Sequence, residues 1–182
     1  MNTSDWVLNC TAVGGDSSDD LFNDPLFGAM SWSYDLINVE SVWREGFTGA
    51  GVNVRVIDDG VDNTHAEFPN FDLDNSCAQY RPENRATNTH GTAVASIIGA
   101  AADNNECAVG VAPGTSISSC VISLFNESAQ RDPFLYNVEN IDIFSGSWGP
   151  EVCEAKLSSE YVSATYQSCP FLADHPENPC SA

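Results

Sequence analysis

Basic side chains are scarce in this sequence: 6 Lys and Arg stand against 26 Asp and Glu, a formal charge of −20 over 182 residues. Such a surface repels a phosphate backbone, which excludes nucleic acid as a partner, while calcium ions and basic peptides are attracted. No apolar run is long enough to span a bilayer. No two cysteines form a Cys-x-x-Cys pair, so the usual zinc signature is missing. The first residues also lack the basic start and continuous apolar stretch of a signal peptide: Met1 is followed by Asn2, Thr3, Ser4 and Asp5, so the start either lies upstream or is a mature end.

What is present suits one globular domain of ordinary size, with 42% hydrophobic residues. Seven cysteines, Cys10, Cys77, Cys107, Cys120, Cys153, Cys169 and Cys180, are many for a reducing compartment and odd in number. Disulfides in an oxidising compartment account for them better. Three acceptor patterns for glycosylation, starting at Asn2, Asn9 and Asn126, agree with that direction. The expected location is the secretory pathway or the extracellular space.

The chain alternates two kinds of periodicity. Residues 1–35 are polar and rich in Gly and Asp, which predicts a surface arm. Residues 37–46 read as a short helix with Val39, Val42 and Trp43 on one face. Val52, Val54 and Val56 alternate in a first core strand over 52–58. A loop over 59–88, rich in Asn, Asp and Pro, leads to a helix of small residues over 91–102. Strands are expected at 117–122 and 141–145, separated by a helix around 128–140 that contains Pro133. Strands alternating with helices predict an α/β fold, a parallel central sheet with helices on both faces. Its active edge lies beyond the carboxyl ends of the strands.

Two short signatures carry the chemistry. The apolar run Val54-Arg55-Val56-Ile57 ends in Asp58-Asp59-Gly60 and sets a carboxylate at a strand tip. Thr89-His90-Gly91-Thr92-Ala93 sets an imidazole at a helix start. Taken singly, the first is a turn motif and the second a cap. Together they are an acid and a base: a hydroxyl nucleophile needs an imidazole to take its proton, and the imidazole needs a carboxylate to fix its tautomer. The order Asp, then His 32 residues later, then a distant Ser is that of the subtilisin type of triad.

Five boxes occur in the order found in subtilases: Gly46 to Val52, Asp58-Asp59-Gly60-Val61-Asp62, His90-Gly91-Thr92, Val109-Gly110-Val111-Ala112-Pro113, and Ser145-Gly146-Ser147-Trp148-Gly149-Pro150. Over residues 24–150 the chain resembles that family. The doubled Asp and the Ser-Trp-Gly-Pro box point to its kexin and proprotein convertase branch. The resemblance implies a three-layer subtilisin-like fold and serine endopeptidase activity on a polypeptide bound in extended form. Asp58 is then the orienting acid and His90 the general base. Asp59, Ser147, Trp148 and Gly149 are implied to bind substrate, the last three as an edge to which the peptide adds like a strand. Calcium is implied too, on Asp24, Glu67 and Asn104, with Glu67 standing where the family has Asp.

Several departures qualify that likeness. Val152 and Thr87 stand where convertases carry acidic side chains, which argues against a simple dibasic preference. The family's oxyanion Asn and nucleophilic Ser lie beyond Ala182. Gly114-Thr115-Ser116 imitates the nucleophile motif but enters a strand. The expected organisation is an arm over 1–35, a partial catalytic domain over 36–152 and a divergent tail with Cys and Pro over 153–182. Half of a parallel sheet would leave an edge strand unpaired. In the family the Cys at position 107 pairs with one close to the Ser, which predicts an unmatched thiol here. The alternative function is a non-catalytic, calcium-binding module that binds peptides.

Overall fold

Strand β1, Asn53–Asp58, lies at the centre of a three-stranded sheet between β2, Ser116–Val121, and β3, Ile143–Ser145. The computed structural model describes residues 21–77, 89–122 and 133–148. Both pairings are parallel. Asn53 to Asp58 register with Ser116 to Val121 on one side, and Val54 to Val56 with Ile143 to Ser145 on the other. Among the described residues this is the expected parallel α/β arrangement. The contacts below fall within a unit ending at Ser147; Trp148 belongs to a second unit, in which only this residue is described.

Five of the six β1 residues are buried, so β1 does not show the in-out alternation of a half-exposed strand. The cause is cover on both faces. Val54 and Val56 pack with Ile117, Val61, Phe68 and Ala95, the last from helix α3, Thr89–Gly99. The odd positions face the other layer, where Ile57 meets Cys77 and Cys120 with Ile122 and Phe144 against them. Cys77 and Cys120, 43 residues apart, form a disulfide. By loop-closure entropy such a bond stabilises the fold by about 4 kcal/mol.

That disulfide is the end of a longer pairing. The segment 71–77 runs beside β2: Phe71 bridges Ile117, Asp72 N–H donates to Ile117 O, and Cys77 N–H donates to Ser119 O. The outer edge of β2 is thereby covered rather than bare. Cys107 also takes part in a disulfide, which corrects the expectation of an unmatched thiol at that position.

Residues 27–37 form helix α1, Phe27–Ile37, rather than continuing a polar surface arm. Asn38 closes it in the left-handed region at φ 55°, a conformation Asn tolerates, and helix α2, Val39–Arg44, follows. Phe27 and Tyr34 are one face of α1, and Val39 and Trp43 one face of α2; Val42, expected on that face, is largely exposed. Phe22, Phe27, Tyr34 and Trp43 pack ring to ring at centroid distances of 5.2–5.5 Å. Two polar tips fasten this cluster to the segment before β2: Tyr34 Oη donates to Val109 O at 2.7 Å and Trp43 Nε1 to Val111 O at 3.0 Å. Burial pushes the Tyr34 phenol up to about 12.

Arg55 is the unexpected member of the central strand, wholly buried on a position that reads as core. Its guanidinium donates to the carbonyls of Pro133, Tyr136 and Asn75, and lies over the Tyr136 and Phe144 rings at 5.7 and 5.8 Å. The charge is compensated by carbonyl dipoles and ring faces rather than by a bonded carboxylate, and burial lowers its pKa. One side chain thus fastens segment 133–136 and the 71–77 segment to β1. Arg55→Leu, which takes the donor from one buried and two part-buried carbonyls, should cost about 3 kcal/mol, measured as a lower urea midpoint at unchanged slope.

Candidate active site

Asp58 closes β1, and Gly60, at φ 114°, turns the chain away immediately after it. The side chain lies on the face of the sheet that α3 covers and is 95% buried, with 5% exposure. His90 is the second residue of α3, and its ring is largely open to solvent, at 61% exposure. Nδ1 of His90 stands 2.7 Å from Oδ1 of Asp58. Opposite an ionised carboxylate Nδ1 carries the proton, which leaves Nε2 as the basic nitrogen. The main-chain N–H of Asp59 also donates to Asp58 Oδ1, at 2.8 Å. The carboxylate's hydrogen bond, then its charge, raise the His90 pKa above the ordinary 6.5. Asp58 Oδ2 is buried and has no hydrogen-bond partner among the described residues.

The approach of α3 to the end of β1 depends on Gly91. A Cβ at that position would stand 2.2 Å from Gly60 O, 2.9 Å from Asp59 Oδ1 and 3.0 Å from Asp58 Cβ. Only a residue without a side chain lets the first turn of the helix lie on the turn after the strand. Thr92 adds a further tie, its Oγ1 accepting from the Asp62 N–H at 2.9 Å. Gly91 stands in the His-Gly-Thr box, and its place inside the first turn of a helix, where Gly is otherwise unfavourable, is accounted for by this close approach.

Asp59 does not stand free at the edge. Its two oxygens accept the first-turn main-chain N–H groups of α3, Oδ2 from His90 at 3.2 Å and Oδ1 from Gly91 at 2.7 Å. Burial raises its pKa and those two hydrogen bonds oppose the rise. Ser147 is exposed and lies two residues past Ser145, the partner of Val56, as Asp58 lies two residues past Val56 itself. Both therefore sit at the carboxyl end of the sheet. Trp148 is 38% exposed, and Gly149 lies outside the described residues, as do Thr87 and Val152. Ser116 pairs with Asn53 at the amino end of β1 and its Oγ donates to Asn70 O. Five strand steps, roughly 17 Å, separate that level from Asp58, so Ser116 is not in reach of His90.

The three residues implied for calcium do converge. Asp24 and Glu67 are buried, and both carry carboxyls raised by burial. Asp24 accepts from the main-chain N–H of Asp103 and Asn104, and Glu67 from Ala108 N–H and the Asn104 side-chain amide. Among the described residues no group of three or more His, Cys, Asp or Glu side chains is arranged around a metal. The two carboxylates are nevertheless hard oxygen donors of the kind calcium takes and keep lone pairs beyond one hydrogen bond per oxygen, whereas Asn104 turns its Nδ2 to Glu67 and its Oδ1 accepts from the Glu106 N–H. Buried negative charge beside a loop with no basic side chain also favours a cation.

The profile described as "Subtilase family" matches residues 49–174. The chain is 34% identical over 151 residues to Furin-like protease 2 of Drosophila melanogaster, covering 74% of this chain and 9% of that protein. It is 32% identical over 150 residues to Neuroendocrine convertase 2 of Bos taurus, covering 70% of this chain and 24% of that one. Among solved structures, a serine protease of Aeromonas sobria superposes at a TM-score of 0.46 with 25% identity, over 71% of this chain and 24% of its own. The chain thus spans less than a quarter of the length of these relatives.

Two measurements check the site. In a histidine NMR titration the His90 midpoint should lie above 6.5 and fall towards that value in Asp58→Asn. Gly91→Ala, which forces the helix off the turn, should likewise lower the midpoint and remove the low-field Nδ1 proton signal, with the Asp58 side chain untouched.

Proposed function

Because this chain belongs to the subtilase family, we propose that it carries the acid and the base of a serine endopeptidase of the subtilisin/kexin class, acting on polypeptides in the secretory pathway or outside the cell. The observation that carries this reading is the 2.7 Å bond between a buried carboxylate at a strand end and an exposed imidazole at a helix start. In that role Asp58 holds Nδ1–H of His90, so that Nε2 takes the proton of an attacking hydroxyl and later delivers it to the leaving amine. Asp58 stabilises the imidazolium formed between those steps and keeps its own charge. Peptide would add along the edge at Ser147, Trp148 and Gly149 through main-chain hydrogen bonds, a mode supported by the exposure of Ser147 level with Asp58.

The hydroxyl itself is not supplied by the motifs of this sequence. No Gly-Thr-Ser-x-Ala-x-Pro occurs in it, and Ser116 sits at the wrong end of the sheet. Residues 1–182 alone should therefore leave peptides uncut. The test is the polypeptide read from the full-length messenger RNA, assayed against a peptide library. Cleavage should appear and fall by about 10⁶-fold in His90→Ala, since triad members act as a unit. Absence of cleavage by that polypeptide would overturn the reading.

Calcium belongs to the same proposal, on Asp24, Glu67 and Asn104. Asp24, Glu67 and Asn104 would hold the ion, which would supply positive charge to offset the two buried carboxylates. Millimolar calcium should raise the melting temperature of the chain by about 5 °C or more over chelated protein. Glu67→Ala should remove that difference.

A further inference from the structure

Adjacent carboxylates are costly unless each has its own donors, and Asp58 and Asp59 are adjacent, both withdrawn from solvent to different degrees. The two differ in what they hold. Asp58 takes the ring of His90; Asp59 takes the main chain of the same residue and of the next. We propose that Asp59 is a positioning residue for the general base: by accepting the first-turn N–H groups of α3 it fixes the main chain of His90 while Asp58 fixes the ring, so that the doubled Asp is one two-point clamp on a single histidine. The inference rests on the endopeptidase reading for the word base, and on geometry for the clamp.

The physical grounds are local. A helix start leaves main-chain N–H groups without partners inside the helix, and an anion there is favoured by both the hydrogen bonds and the helix dipole. Asp59 meets two of these N–H groups at once. Its Oδ1 would stand 2.9 Å from any Cβ at Gly91, so the same missing side chain that lets α3 lie on the turn also admits the carboxylate to the helix end. An exposed imidazole has little packing to hold it, and with 61% of its side chain open His90 depends on its main-chain anchor for its direction. If that anchor is released, the helix end frays and the ring leaves Oδ1 of Asp58. Among the described residues, Asp58 and Asp59 are the charges acting on the His90 ring.

Asp59 therefore acts through His90, and its removal should be read at His90. In the full chain labelled with ¹⁵N, Asp59→Ala should speed hydrogen exchange at the His90 and Gly91 amides by about five- to tenfold while Ala95 to Gly99 keep their protection. It should also lower the His90 titration midpoint towards 6.5. Asp59→Asn, which keeps an oxygen acceptor at the helix end, should restore most of the exchange protection and leave the midpoint between the other two. Loss of the Asp59 charge alone lowers the midpoint equally in Asp59→Ala and Asp59→Asn, so the clamp is read in the further fall of Asp59→Ala below Asp59→Asn. An unmoved His90 midpoint in Asp59→Ala, or an Asp59→Asn chain as perturbed as Asp59→Ala, overturns the proposal. Should Asp59→Ala lose its melting transition, Asp59→Ser, a shorter cap, is read in its place against the same two outcomes. Neither reading involves peptide cleavage, so a failed endopeptidase assay with an intact clamp is distinguishable from a failed clamp.

Discussion

The constraint on which the site depends is the closeness of the first turn of α3 to the turn that ends β1. No Cβ can stand between them, since it would meet Gly60 O at 2.2 Å. From this approach follow the reach of His90 to Asp58, the meeting of Asp59 with the helix N–H groups, and the tie of Asp62 to Thr92. Each of these is an ordinary hydrogen bond of modest net worth. What makes them cooperative is that all of them join the first turn of α3 to the end of β1 and the turn after it, so one displacement breaks them together. The sheet supplies the rigidity, with β1 held between two parallel partners and covered on both faces.

Burial is divided unevenly across the pair, with consequences for the chemistry. Asp58 is nearly inaccessible and His90 is mostly open. An exposed ion pair contributes little, because solvent screens it and two side chains must be ordered. Here one partner is already fixed by the sheet, and only the imidazole must be held. In the proposed role the exposed partner is the one that has to meet a substrate, so the arrangement would give a fixed acid behind a reachable base. The buried Oδ2 of Asp58, without a donor among the described residues, means that its hold on the ring passes through Oδ1 alone, an oxygen shared with the Asp59 N–H.

Much of this was legible in the residues. The strand ending in Asp58, the small-residue helix headed by His90 and the parallel order could be read from Val alternation, the Asp-Gly stop and the His-Gly-Thr run, because each depends on local chemistry. The arm was misread for the opposite reason. Phe22, Phe27 and Tyr34 stand among apolar residues that the fold leaves exposed, Trp32, Leu36 and Ile37, which blur the period, and their partner Trp43 and anchor Val109 are distant in the chain. Arg55 was equally opaque: nothing about an Arg in an apolar strand says that three carbonyls from segments 20 to 81 residues away will solvate it. The cover on the outer edge of β2 by segment 71–77 has no sequence period, since its pairing is irregular.

A chain with formal charge −20 must still place carboxylates where they serve, and it does so by giving the buried ones N–H donors from loops and helix ends. Asp24 meets Asp103 and Asn104, Glu67 meets Ala108 and the Asn104 amide, and Asp59 meets His90 and Gly91. Charge-assisted bonds of this kind are about twice as strong as neutral ones, and they offset much of what burial costs an anion. With 6 basic residues in the chain, and one of them, Arg55, spent on carbonyls, salt bridges could not have done the same work. Backbone N–H groups are the positive ends this sequence has in quantity. Asp58, Asp59 and the Asp24–Glu67 pair are three uses of one solution: an anion held by main-chain N–H groups, in a place the fold has already made rigid.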